Sequence, residues 1–246
     1  MQIKVKNVST GKLNDINFEI EDKKITGIIS NDIFILEKIN KMLKENKIDS
    51  GSIEYSVKYA KSKMYLISMT KINDVLSKTG YEFLETKQID EKKLKSLELD
   101  KDLLNRKIEY MSTSEKIKIL LLKSIVQNYD TILIDGILEQ LDSSLKNKIM
   151  KLILRLKKFE GKTIVFSSTK IDSIYEYIDN LVIITKNFCL TSTDKYKMYE
   201  ENKQLYMGKP FVIKIKELIY NKKGINLGKN DSVNELIKAI YREIRW

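Results

Sequence analysis

A largely parallel α/β fold is what the sequence predicts, on three observations. Short apolar runs alternate with helical patterns through most of the chain. Several of those runs are apolar on both faces, as strands of a parallel sheet covered on both sides must be. The 246 residues, 42% hydrophobic and 32% charged, are enough for one core with a helical subdomain or small appendage.

The N-terminal third reads as strands: "QIKVKNV", "INFEI" and "KITGIIS", each short and rich in Ile, Val or Phe. In "IFILEKINKMLKEN", Ile35, Leu36, Ile39, Met42 and Leu43 recur at helical spacing. "DSGSIEYS" carries a turn signal into a strand, and "KMYLISM" is another strand. From about Lys71 to Glu109 the pattern is helical and polar, as in an inserted subdomain. "STSEKIKILLLKSIVQN" is a helix, opened by a capping box of Ser112 with Glu115. Strand "TILID", helix "LDSSLKNKIMKLILRLKKF", strand "GKTIVFSS", helix "IDSIYEYI" and strand "NLVIIT" follow. The tail after Thr191 holds the only proline, Pro210, and reads as helices joined by turns at Gly224 and Gly228.

Composition removes several classes of chemistry. There is no histidine, so Ser-His triads, histidine acid–base catalysis and histidine metal sites are excluded. The single Cys189 excludes an internal disulfide framework and argues against a zinc site. No apolar run reaches the roughly 18–20 residues that span a bilayer. The strand-like start "MQIKVKNVST" lacks the apolar centre of a signal peptide, which points to the cytoplasm. A net charge of +11 suggests nucleic acid, yet it is nearly all lysine, the arginines being Arg106, Arg155, Arg242 and Arg245. Base and phosphate readers favour arginine forks, so a solvated lysine surface is the preferred reading and no nucleic acid is expected. Such a surface is compatible with lying against anionic lipid headgroups.

The order and spacing of "LNDINFEI", "ITGIIS", "DSGSI", "MSTSE", "TILID", "LEQLD", "GKTIVFSST" and "EYIDNLVII" carry a resemblance over essentially the whole chain. It resembles a nucleotide-binding subunit of an ABC transporter. The tail "KPFVIKIKELIYNKKGINLGKNDSVNELIKAI" is similar to the C-terminal segment of energy-coupling-factor (ECF) transporter ATPases. The resemblance implies a P-loop NTPase-like core over 1–70 and 110–190, a helical subdomain over 71–109 and a C-terminal dimerisation extension over 191–246. ATP and Mg²⁺ are the cofactors it implies. The partners it implies are a second ABC ATPase subunit and a membrane scaffold, with the chain on the inner face of the cell membrane.

Residue by residue, the family's chemical positions are altered. A phosphate loop needs glycines so that N–H groups approach phosphate, plus a lysine and a hydroxyl for charge and Mg²⁺. Here Ser30 replaces the first glycine, Ile33 and Ile35 the later two, Leu36 the lysine and Glu37 the hydroxyl, and Lys38 stands two residues beyond the lysine position. Ser68 takes the place of the Mg²⁺-sensing glutamine, Gly136 that of the water-polarising carboxylate and Thr169 that of the switch histidine. No aromatic stands between Ser9 and Leu13 to stack on adenine. Asp135 survives, as a weak metal ligand or a strand-end acceptor. Ser112 and Asp142 match positions that in the family act on the partner's nucleotide. The expectation is a degenerate ATPase-like subunit of an ECF-type vitamin or metal importer, pairing with an active ATPase. Two other readings stand beside it: an unconventional ATPase using Lys38 and Asp135, and an ABC-fold interaction module repurposed outside transport.

Overall fold

A computed structural model describes residues 1–86, 88–202, 209–230 and 232–243. Two sheets enclose one helix. The smaller is antiparallel in the order β2-β1-β4, from β1 (Ile3–Thr10), β2 (Leu13–Ile20) and β4 (Ser50–Tyr55). The larger runs β5 (Met64–Ser68), β6 (Thr131–Asp135), β7 (Thr163–Ser168), β3 (Ile25–Ile29), β8 (Asn180–Ile184) and β9 (Cys189–Ser192). Its first five strands are parallel, as the sequence predicts; β9 runs antiparallel to β8 and closes one edge. That edge strand was not among the predicted elements.

Side chains of the parallel strands divide with period two between two cores. Leu133, Val165, Ile28 and Val182 point into a core shared with the antiparallel sheet and α1 (Ile33–Glu45). Ile132, Ile134, Ile164, Phe166, Leu181 and Ile183 point into the other, against α5 (Thr113–Val126) and α6 (Ser143–Glu160). Burial on both faces explains why these strands read as unbroken apolar runs. At Gly27 the approach is close: a Cβ would sit 3.0 Å from the methyl ends of both Ile174 and Ile178.

Between β5 and α5 lie three short helices, α2 (Met69–Asn73), α3 (Gly80–Leu84) and α4 (Glu91–Ser96), with 3-10 turns. Phe83, Leu84, Leu94, Leu97, Leu103 and Leu104 join the α5 core, so this region packs as part of the larger cluster. The tail forms α7 (Lys195–Glu201), α8 (Phe211–Lys223) and α9 (Val233–Glu243). Gly224 ends α8 in the left-handed conformation a helix C-terminus favours. Among the described residues, no helix is long and apolar enough to cross a membrane.

One expected helix is absent. Ile171, Ile174, Tyr175 and Ile178 are spaced as a helical stripe and all four are buried. The backbone nevertheless makes only a 3-10 turn at Ile171–Ser173 followed by further turns. Tyr175 meets Tyr196 and Tyr199 edge-on at 6.3 and 6.5 Å, and Ile174 and Ile178 press on Gly27. Tertiary packing on two sides therefore sets the conformation, against the local periodicity.

Candidate functional site

The candidate residues gather where parallel strands end, the usual place for sites in open α/β sheets. Register pairs Ser68 with Asp135 and Asp135 with Ser167, and the Ser30 N–H donates to the Ser168 carbonyl at 3.4 Å. Ser30, Ser68, Asp135, Gly136 and Thr169 therefore lie together at the C-terminal ends of the parallel strands. Ser112 and Asp142 head α5 and α6, and the hydrogen bonds of their side chains are made within those helices' own first turns.

The segment after β3 folds straight into a helix. Ser30 is fully buried and its hydroxyl accepts from the Asp32 N–H at 3.2 Å. Asp32 is the N-cap of α1: its carboxylate accepts from the Phe34 N–H at 3.0 Å, and its carbonyl from Ile35 and Leu36. A carboxylate there satisfies a first-turn donor and suits the positive end of the helix dipole. Lys186 Nζ stands 3.6 Å from the same carboxylate. The segment read as running along a loop from Ser30 to Lys38 is thus helical from Ile33 onward. Leu36 is 2% exposed in the core. Glu37 faces solvent, and the Lys38 ammonium lies over Gly11 in the β1–β2 turn. Ile33 and Phe34, 56% and 74% exposed, occupy the helix mouth.

Tested against a nucleotide triphosphate, these residues do not fit. An anion-binding loop offers unfilled N–H groups and a lysine to incoming oxygens. This helix start carries its own carboxylate and two apolar side chains, and Lys186, the lysine beside it, is paired with that carboxylate.

Asp135 is half-buried at the end of β6. Burial holds its carboxyl above the ordinary range; the Asn40 amide opposes this, while the charges of Glu37 and Glu139 add to it. Asn40 Oδ1 accepts from Ser167 Oγ at 2.7 Å, and its buried amide nitrogen faces Asp135 without reaching hydrogen-bonding geometry. Gly136 follows in the left-handed region, with φ 63° and ψ −2°, and its N–H donates to the Ser167 carbonyl at 3.0 Å. A Cβ on Gly136 would meet nothing within 4 Å.

Sequence reasoning missed Glu139. Its carboxylate accepts from Ser168 Oγ at 2.6 Å, Thr169 N–H at 2.7 Å and Thr169 Oγ1 at 2.7 Å. Burial pushes its carboxyl up, but the bonds from Ser168, Thr169 and Lys170 outweigh this and hold it below the ordinary range. Thr169, at the switch position, is thus engaged by an internal carboxylate. A carboxylate so engaged and so acidic is a poor general base, which weighs against Glu139 as a relocated replacement for the one absent at Gly136. The only sequence signal was an acidic residue four positions after Asp135, with partners 29 and 30 residues away.

The remaining positions act as caps. Ser68 caps α2, accepting from the Lys71 N–H at 3.2 Å. Ser112 and Glu115 form the expected capping box, with bonds of 3.3 and 2.7 Å, and that bonding holds the Glu115 carboxyl below its usual range despite some burial. Asp142 caps α6, accepting from Ser144 and Leu145 at 2.9 and 3.0 Å.

No family model matches the chain. By sequence it is 22% identical over 162 residues to the energy-coupling factor transporter ATP-binding protein EcfA2 of Staphylococcus aureus, covering 65% of this chain and 57% of that protein. It is 24% identical over 201 residues to EcfA3 of Oenococcus oeni, covering 72% and 69%. It is 28% identical over 170 residues to EcfA1 of Lactobacillus gasseri, covering 64% and 58%. The matched region thus spans less than two thirds of the Staphylococcus and Lactobacillus relatives. Among solved structures it superposes on cbiO1 of Clostridium perfringens, part of the ABC transporter complex cbiONQ, with a TM-score of 0.70, 17% identity and coverage of 90% and 95%. A nucleotide-free ABC transporter cassette gives 0.69 at 17% identity, covering 84% and 97%. The fold is that of an ABC ATPase cassette.

Proposed function

We propose that this chain, an ABC nucleotide-binding subunit most like the energy-coupling factor ATP-binding proteins, is a catalytically degenerate member of an ECF-type importer for a vitamin or metal. It pairs with an intact ATPase and couples that partner to a membrane scaffold from the inner face of the membrane. The 71–109 region and the 191–246 extension supply its contact surfaces to scaffold and partner. Any nucleotide turned over in the pair is held by the partner's phosphate loop, and Ser112 and Asp142 match the positions that in the family act on it. The observation that carries this reading is the start of α1, capped by the Asp32 carboxylate and fronted by Ile33 and Phe34 where a phosphate loop would stand. Lys38 lying over Gly11 weighs against the unconventional ATPase that would use it.

Calorimetric titration of the purified chain with MgATP tests the first half. No saturable heat and no phosphate release are expected; micromolar binding with turnover abolished by Asp135→Asn would overturn it. Co-expression with an intact ECF ATP-binding protein and scaffold tests the second half. A stoichiometric ternary complex is expected, and a chain that purifies alone sinks the transport assignment.

A further inference from the structure

The segment after β7 is fastened at both ends to parts of the molecule far away in sequence. At its start, Ser168 and Thr169 are held by Glu139 through the three bonds given above. On the inner side, the space between Glu139, Gly136, Phe166 and Ser173 has no room for a water molecule. Inside the segment, the Lys170 N–H donates to Ser168 Oγ at 3.0 Å and the Lys170 carbonyl accepts from Ser173 Oγ at 2.6 Å, which stiffens it. At its far end, Asp172 Oδ1 accepts from the Phe211 N–H at 2.7 Å.

This last bond solves a specific problem for α8. Pro210 stands at the N-cap and has no side chain able to cap, so the first helical N–H lacks a local acceptor. Asp172, 39 residues earlier, supplies the carboxylate. One short turn thus joins the strand-end cluster to the start of the C-terminal helices.

We propose that residues 168–173 form a strap, clamped by Glu139 and capping α8 through Asp172, that makes the position of the C-terminal extension depend on the turn after β6. Both clamps are the protein's own carboxylates. Whether or not the chain serves an importer, the strap predicts coupling between two sites that share no direct bond.

Residue-resolved amide exchange on the full chain reads it. Glu139→Ala should accelerate exchange at Thr169 by about ten-fold or more, the factor carried by a lost charged hydrogen bond. It should also accelerate exchange at Phe211 while leaving β3 unchanged. Asp172→Ala should act reciprocally on both amides, as coupled sites must. Acceleration at Thr169 alone overturns the strap, and uniform acceleration including β3 overturns it by assigning Glu139 to global stability. Should an alanine variant fail to fold, Glu139→Gln and Asp172→Asn give the same readout with smaller factors.

Discussion

Gly136 is the position where a missing side chain has a measurable backbone cause. Its φ of 63° and ψ of −2° lie in the left-handed region, and a Cβ there would touch nothing within 4 Å. Gly136→Ala therefore adds no overpacking and isolates the backbone term, about 1–2 kcal/mol for an L-residue in that region. The stiffer unfolded chain offsets about 0.4–1 kcal/mol of it. The net loss is about 1 kcal/mol, which for a chain of this size lowers Tm by roughly 2–4 °C. Gly136→Asn should recover most of that, because asparagine tolerates the conformation. Gly136→Glu should lose at least as much as alanine, with Asp135 and Glu139 as like-charged neighbours. It should gain no ATP turnover, since nothing at the start of α1 holds phosphate. Thermal denaturation at pH 7 and a phosphate-release assay check both parts. An alanine variant as stable as the parent refutes the backbone argument, and a glutamate variant that hydrolyses ATP refutes the reading of the site.

Leu36 gives a sharper contrast between core and site: Leu36→Ala should cost about 2–5 kcal/mol in denaturant unfolding. Leu36→Lys, which restores the family's residue, should abolish cooperative folding, and an unchanged denaturation midpoint would mean position 36 faces open space. For Asp135 the folded carboxyl lies above its unfolded value, so its contribution favours folding at low pH and is lost as pH rises through about 3.9 and beyond. Asp135→Asn should thus match or exceed the parent's Tm at pH 7, the gap closing towards pH 4; a less stable variant at pH 7 would place a cation on Asp135. Glu139 has the opposite sign: its contribution is present above about 4.3 and lost as pH falls through its depressed folded value, and Glu139→Gln should remove that dependence.

The sequence by itself determined whatever depends on neighbours along the chain. Unbroken apolar runs such as "TILID" became two-faced strands, and Ser112 with Glu115 became a capping box, because pleat and helix turn are local geometry. The body of α1 could be read the same way, because Ile35, Leu36 and Ile39 recur at helical spacing, although its start at Ile33 could not. Tertiary structure alone decided which distant groups meet. It turned the helical stripe of Ile171–Ile178 into turns, laid the Lys38 ammonium over Gly11 and gave Glu139 its partners 29 and 30 residues on. It also assigned Asp172 to cap a helix 39 residues away. A carboxylate carries no local mark of the donor it will find; that choice belongs to the packing that brings strand ends and loops together.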